Sequence, residues 1–434
     1  MQQSHRLARF LAFVALTAGT LSLLSCGSAS TYEPITPTRI VAFGDALVDV
    51  GQTGRVDANN ANTKYRFTVN QVETATAFNT STTFVEALAS YFGFSTVTYA
   101  LDNLSAAGRL PSTGAYSYGE FGALVSGAAA FGTGTTEPTD GTVQVADARG
   151  CQKVAANKAT RAGAAADNAY CAYNLQAQID LFLAQGAPTS NDLFVVSIGT
   201  GDIMATGIRG MTVDATTPYA GLDAVQTALG GALTTTSAIN AQMQAAANAL
   251  AVQVKRLTDA GAKYVMVVGP PNLGRSPWAA KTGTVNATLL QNLSYATGSS
   301  ITSMGSEGLA RIQATFGSTI NNPVLFVEIA GLVNTLTDSG NGSFANRSSA
   351  VCVANTATST IINAKSIGTG LKPATVVGTT PAGLLTAALC TTDTLVVADP
   401  GTYVYADDVN FTPAMHGQFY YQSLTKMRTA AWIN

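Results

Sequence analysis

The chain has 434 residues, 47% of them hydrophobic and only 11% charged, so a substantial core can form while Thr, Ser, Asn and Gly solvate most of the surface. That length suits either two domains or one large α/β domain with insertions. Lys and Arg number 23 against 25 Asp and Glu, with no basic cluster beyond the N-terminus, which excludes the electrostatic footprint of a nucleic-acid partner.

In chain order, Arg6 and Arg9 give a positive start, FLAFVALTAGTLSLL an apolar segment, and Leu23-Leu24-Ser25-Cys26 the end of a secretory signal over residues 1–25. This ending resembles the lipobox of bacterial lipoproteins, in which the cysteine is lipidated and becomes the first mature residue. Gly27 follows Cys26, where an aspartate would signal retention at the inner membrane. The resemblance therefore implies an outer-membrane lipoprotein of the bacterial cell envelope, periplasmic or surface-exposed, with the membrane as a partner through its anchor. Residues 26–37 are rich in Ser, Thr and Pro without helical or strand period, as suits a tether that lets a folded domain over 38–434 stand clear of the lipid. Losing the signal removes His5 and leaves His416 as the single histidine.

The run Ile40-Val41-Ala42-Phe43 before Gly44-Asp45 predicts a strand over 39–44. The next residue, Ala46, stands at the carboxyl end of that strand, where open α/β sheets place their reacting groups, although a methyl group has nothing to react with. A helix is expected near 82–93, another over 175–186, then a strand in DLFVVSIGTGD. A long helix around 237–260 stops at Gly261 and feeds the strand KYVMVVGPP; a helical stretch near 285–316 precedes the strand at 323–330. Near the C-terminus Thr412 suits an N-cap and Pro413 the first helical position, with Asp407, Asp408 and Asn410 in the loop ahead and His416 in the first turn. Repeated β-then-α order argues for an α/β fold in three layers, a doubly wound parallel sheet with helices on both faces. The low-periodicity stretches at about 100–172 and 338–398 read as loop insertions on that one domain.

With Cys26 assigned to lipid, Cys151, Cys171, Cys352 and Cys390 remain. An even number in an oxidising compartment suggests disulfides, and four cysteines allow three pairings. The local pairing, Cys151 with Cys171 and Cys352 with Cys390, would close segments that cannot order themselves through a core, each bridge contributing about 3 kcal/mol in the chain-entropy view. With no C-x-x-C and one mature histidine, neither a metal site nor a cofactor is expected.

The stretch FGDALVDVG resembles the first motif block of the SGNH, or GDSL, hydrolases, FGDSLSDVG, whose serine is the nucleophile. Val196-Ser197-Ile198-Gly199-Thr200-Gly201-Asp202 is similar to the third block, G-x-N-D, and ADDVNFTPAMH to the fifth, W-D-x-x-H-P-T-x-x-x-H. The blocks occur in family order over roughly 38–434, and the resemblance implies a flavodoxin-like SGNH-hydrolase fold. In that family the serine attacks an ester carbonyl, a histidine oriented by an aspartate takes its proton, and a serine N–H, a glycine N–H and an asparagine bind the oxyanion.

Carried over residue by residue, the serine position is Ala46, the block-two glycine is Gly127 in LVSGAAAFG, the asparagine position Gly201 and the histidine position Asn410, while Asp407 matches the aspartate. The second histidine of the fifth block is matched by His416. Three reacting groups are thus replaced in three separate parts of the chain, which makes hydrolysis by the family's mechanism an expected loss. Asp45, Asp202 and Asp408 are then candidates for shaping a binding pocket. Two functions follow as expectations: a lipid-anchored pseudoenzyme with a binding or structural role, its small-molecule ligand acyl-ester-like or a glycan, or an esterase or lipase whose catalytic residues have been relocated. Relocation would draw on Ser197, on the Asp407-Asp408 pair and on His416, and a histidine one turn past a helix cap is more often packed than basic.

Overall fold

In the computed structural model, which describes residues 34–51, 54–55, 64–66, 68–69, 71–74, 77–79, 83–100, 108–125, 151–152, 170–171, 173–212, 222, 226, 230–295, 298–317, 322–352 and 399–434, strand β1 (Arg39–Gly44) is buried along its whole length. Its RIVAFG run lacks polar alternation because both faces are covered, as in a central parallel strand. β2 (Val97–Tyr99), β3 (Gly114–Ser117), β4 (Asp192–Ser197), β5 (Tyr264–Val268) and β6 (Val324–Val327) join it in the order β2-β3-β1-β4-β5-β6. Every pairing is parallel, with Arg39 opposite Asp192 and Gly44 opposite Ser197. The chain moves to one side of β1 and then to the other, so the reversal of strand order falls between β1 and β4, the place where such sheets open a crevice at their carboxyl ends.

Helices cover both faces. On one face lie α1 (Phe84–Tyr91), α8 (Ala330–Thr337) and α9 (Pro413–Thr429), packed with Ile40, Ala42, Leu193 and Val195. On the other lie α2 (Leu175–Leu183), α3 (Thr200–Gly210), α4 (Thr236–Asp259), α5 (Pro277–Lys281), α6 (Gly283–Ser294) and α7 (Met304–Phe316), packed with Val41, Phe43, Phe194 and Val196. The alternation along β1 and β4 assigns each residue to its layer. Phe43 stacks on Tyr118 at 5.3 Å and meets Phe182 edge-on at 5.7 Å, pairs worth about 0.5–1.5 kcal/mol each beyond burial. At the amino end of the sheet, Arg39 donates twice to Asp192, at 3.0 and 2.6 Å, with both side chains buried. Removing either partner would strand a buried charge at a cost of about 3–5 kcal/mol.

The long helix, the α2 helix and the C-terminal helix stand where their patterns and caps place them. The Thr412 hydroxyl accepts from Met415 N at 3.4 Å, Pro413 takes the first helical position, and α9 follows. Elsewhere the structure departs from the sequence reading. The stretch near 285–316 is two helices, α6 and α7, and the glycine-rich residues read as the end of a strand open α3 instead. The stretch about 100–172 is not wholly an insertion: β3 lies directly beside β1, and Tyr118 and Phe121 after it are in the core. Gly-Ala-Tyr-Ser is too short and too weakly apolar to announce a strand. Within 338–398, Asn346–Ala350 pairs in parallel with Tyr403–Tyr405. Cys26, Gly127, Cys390 and the signal segment lie outside the described residues, among which no helix is long and apolar enough to cross a membrane.

Candidate functional site

The crevice is built around Gly44. Its φ is +141°, and a Cβ there would sit 1.7 Å from the Ser197 carbonyl oxygen, so only glycine lets β1 turn across the end of β4. Gln178 of α2 clamps this glycine: its Oε1 accepts from Gly44 N at 2.7 Å and its Nε2 donates to Gly44 O at 2.9 Å. Sequence reasoning passed over Gln178, although a polar residue on the Leu175-Ile179-Phe182 face of an amphipathic helix signals a buried hydrogen-bonding duty.

Asp45 follows. Its carboxylate accepts from Thr200 N at 3.0 Å and from Leu47 N at 3.5 Å, tying the turn to the first residue of α3. Burial pushes its pKa up to about 6 against those hydrogen bonds. Ala46, at the serine position, is 5% exposed and belongs to the same apolar cluster as Phe43, Ile198 and Ile203. Asp202, three residues into α3, accepts from Val125 N at 3.0 Å; burial, with the Asp45 charge adding to it, raises its pKa to about 7.

Gly201, at the asparagine position, has no room for any side chain. A Cβ would lie 2.4 Å from the Ala123 carbonyl oxygen and 3.2 Å from that of Gly122. The segment after β3 therefore occupies the space into which any side chain at 201 would project, and it presents carbonyl acceptors there. The same segment is held by Asp49, which accepts from Phe121 N at 2.9 Å, and by Glu120 N, which donates to Gly44 O at 3.0 Å. Gly119 within it lies against Val48 so closely that a Cβ would meet Val48 at 2.6 Å.

The loop before α9 forms a second group. Asp407 accepts from Val409 N at 2.7 Å and from Asn410 N at 2.5 Å, and its other oxygen accepts from Asn410 Nδ2 at 2.8 Å. The carboxylate thus holds Asn410 as it would hold an imidazole, but an amide cannot take a proton. Burial raises the Asp407 pKa to about 6. Asp408 is separated from it: its carboxylate accepts from Lys281 Nζ at 2.7 and 2.8 Å while its carbonyl accepts from Trp278 N at 3.0 Å, so it anchors the loop to α5.

The residues considered for relocated chemistry do not assemble. His416 is buried, its Nδ1 accepting from Phe84 N at 3.3 Å and its Nε2 without a partner, and burial lowers its pKa to about 3. It is a neutral helix-packing residue. Ser197 Oγ is likewise buried and without a partner, so no base activates it. Among the described residues no group of three or more His, Cys, Asp or Glu could hold a metal ion. Cys151 lies opposite Cys171 in a short antiparallel pair, and Cys352 is disulfide-bonded.

Fold and site together define a parallel α/β protein whose strand-order crossover is closed by buried carboxylates and packed glycines. Compared with known proteins, the chain matches no family model and no curated protein.

Proposed function

We propose that the protein is a lipid-anchored cell-envelope protein on an SGNH-hydrolase scaffold whose hydrolytic site has been converted into structure. The observation that carries this reading is Gly201. Loss of a nucleophile alone could leave a waiting oxyanion site, but here the asparagine's place is filled by the Ala123 backbone, so loss of function is built into the packing. Two further features support it. Ala46 is covered within an apolar cluster, and Asn410 is locked to Asp407 by two hydrogen bonds, one from its N–H and one from its amide. The role left to such a scaffold is envelope structure or binding outside the packed crossover, with an acyl-ester-like molecule or a glycan as the ligand class that the resemblance implies.

The test is turnover of short- and long-chain acyl esters, and of an acetylated sugar, by the purified wild-type chain. The expected rate equals that of a heat-treated control. Turnover that survives purification to homogeneity would return the esterase reading with relocated residues.

A further inference from the structure

The outer face of the α1–α9 pair has no role in the crevice, yet it gathers aromatic side chains in the open. Tyr421 on α9 is 60% exposed and Tyr91 at the end of α1 is 40% exposed, whereas the other two exposed large apolar side chains among the described residues, Val252 and Val285, stand singly on the opposite layer. Tyr420 stands beside Tyr421, their rings 5.1 Å apart, on the helix against which α1 packs. Phe92 meets Tyr91 edge-on at 5.0 Å. Arg428 stands two turns beyond Tyr421 on the same line of the helix. The two helices bring basic charge to this face: α9 carries Lys426 and Arg428, whose Nε donates to Asn434 O at 3.4 Å, and no acidic residue, and the only acid of α1, Glu86, is buried against Arg66.

Where the chain enters the domain gives this face its occupant. Ile35 N donates to Trp432 O at 2.7 Å, so the segment leading back to Cys26 leaves from the C-terminal end of α9. The residues between Cys26 and Ile35 span at most about 30 Å, and Tyr421 lies only about 12 Å along the helix from its end. Tyrosines with a basic neighbour are the side chains that settle at a bilayer's headgroup level.

We propose that the Tyr91-Tyr420-Tyr421-Arg428 face rests on the phospholipid headgroups of the membrane that holds the anchor, fixing the domain's orientation. This rests on the lipid-anchor reading of Cys26 and replaces a domain standing clear of the lipid with one lying on it.

The test is hydroxyl-radical footprinting of the acylated full chain on vesicles containing phosphatidylglycerol, against the Cys26→Ala chain in lipid-free solution. Oxidation of Tyr91 and Tyr421 is expected to fall at least threefold on the vesicles, while Val252 and Val285 keep their rates. Equal tyrosine oxidation in both samples, or equal protection of all four sites, would overturn the proposal, as would protection of Tyr421 by insoluble cell-wall glycan and not by vesicles. Failure of the anchor reading would show separately, as a wild-type mass without acyl chains. The face then still predicts salt-sensitive vesicle binding by the signal-cleaved chain, lost in the Tyr421→Ser/Arg428→Ser variant, and binding that the double variant retains would refute it.

Discussion

Gly201 shows how packing can dictate the residue at one position. In a helix interior glycine costs up to about 1 kcal/mol relative to alanine, a cost that crowding at Gly201 explains and open space at Gly417 does not. Gly201→Ala drives a methyl into the Ala123 carbonyl and is expected to lower stability by about 1–3 kcal/mol. Gly417→Ala on α9, where a Cβ meets nothing within 4 Å, should raise it by about 0.5–1 kcal/mol. Thermal melts of the two variants check both signs. The buried acids make a further claim. Asp45, Asp202 and Asp407 hold pKa values of about 6, 7 and 6 against an ordinary 3.8, so the stability they allow is full below 3.8 and is lost as pH rises through 6 to 7. His416, lowered from 6.5 to about 3, acts the other way as pH falls. Three acids outweigh one imidazole, so the melting temperature is expected to drop between about pH 4 and pH 7 and to level off above that. Asp45→Asn with Asp202→Asn should flatten that drop, and an unchanged slope would show that these carboxyls titrate normally.

At the scale of elements, the sequence was most legible where one signal acted alone. Continuous apolar runs marked β1, β4 and β5, and the Thr412-Pro413 pair marked the start of α9, because burial on both faces and helix capping leave local traces. β3 was hidden, since a four-residue strand beside the centre of a sheet draws its place from its neighbours and not from its own composition. α3 was hidden for the opposite reason: its glycines signal a loop, and only the crowding by Ala123 and by Leu290 at Gly207 explains them. The positions compared with the SGNH blocks come from the motif resemblance alone, while the clamp by Gln178 and the tie from Asp202 to Val125 are long-range hydrogen bonds that no local pattern encodes. The cysteine pairs fall between these cases. Cys151 and Cys171 are register partners in a short antiparallel pair. Non-reducing peptide mapping is expected to link Cys151 to Cys171 and Cys352 to Cys390. A Cys171–Cys352 peptide would refute the local pairing.

For the whole molecule, the strand-order switch between β1 and β4 is packed shut by buried polar ties. Location then decides what such a scaffold can meet. Several acyl chains on Cys26 would hold it to a bilayer, each buried methylene contributing about 0.8 kcal/mol. If the proposed anchor holds the chain in the outer membrane, Cys26→Ala is expected to leave that fraction, either soluble or stalled uncleaved at the inner membrane; wild-type yield in the outer membrane would place the attachment elsewhere. The central claim, that no activated nucleophile remains, is tested most directly by labelling the purified wild-type chain with a fluorophosphonate probe and mapping the adduct by mass spectrometry. We expect no labelled serine, Ser197 included, because its hydroxyl is buried and has no hydrogen-bonded base. Stoichiometric labelling of any serine, abolished by heat, would contradict the proposed inactive site and identify a nucleophile acting in place of the serine that Ala46 lacks.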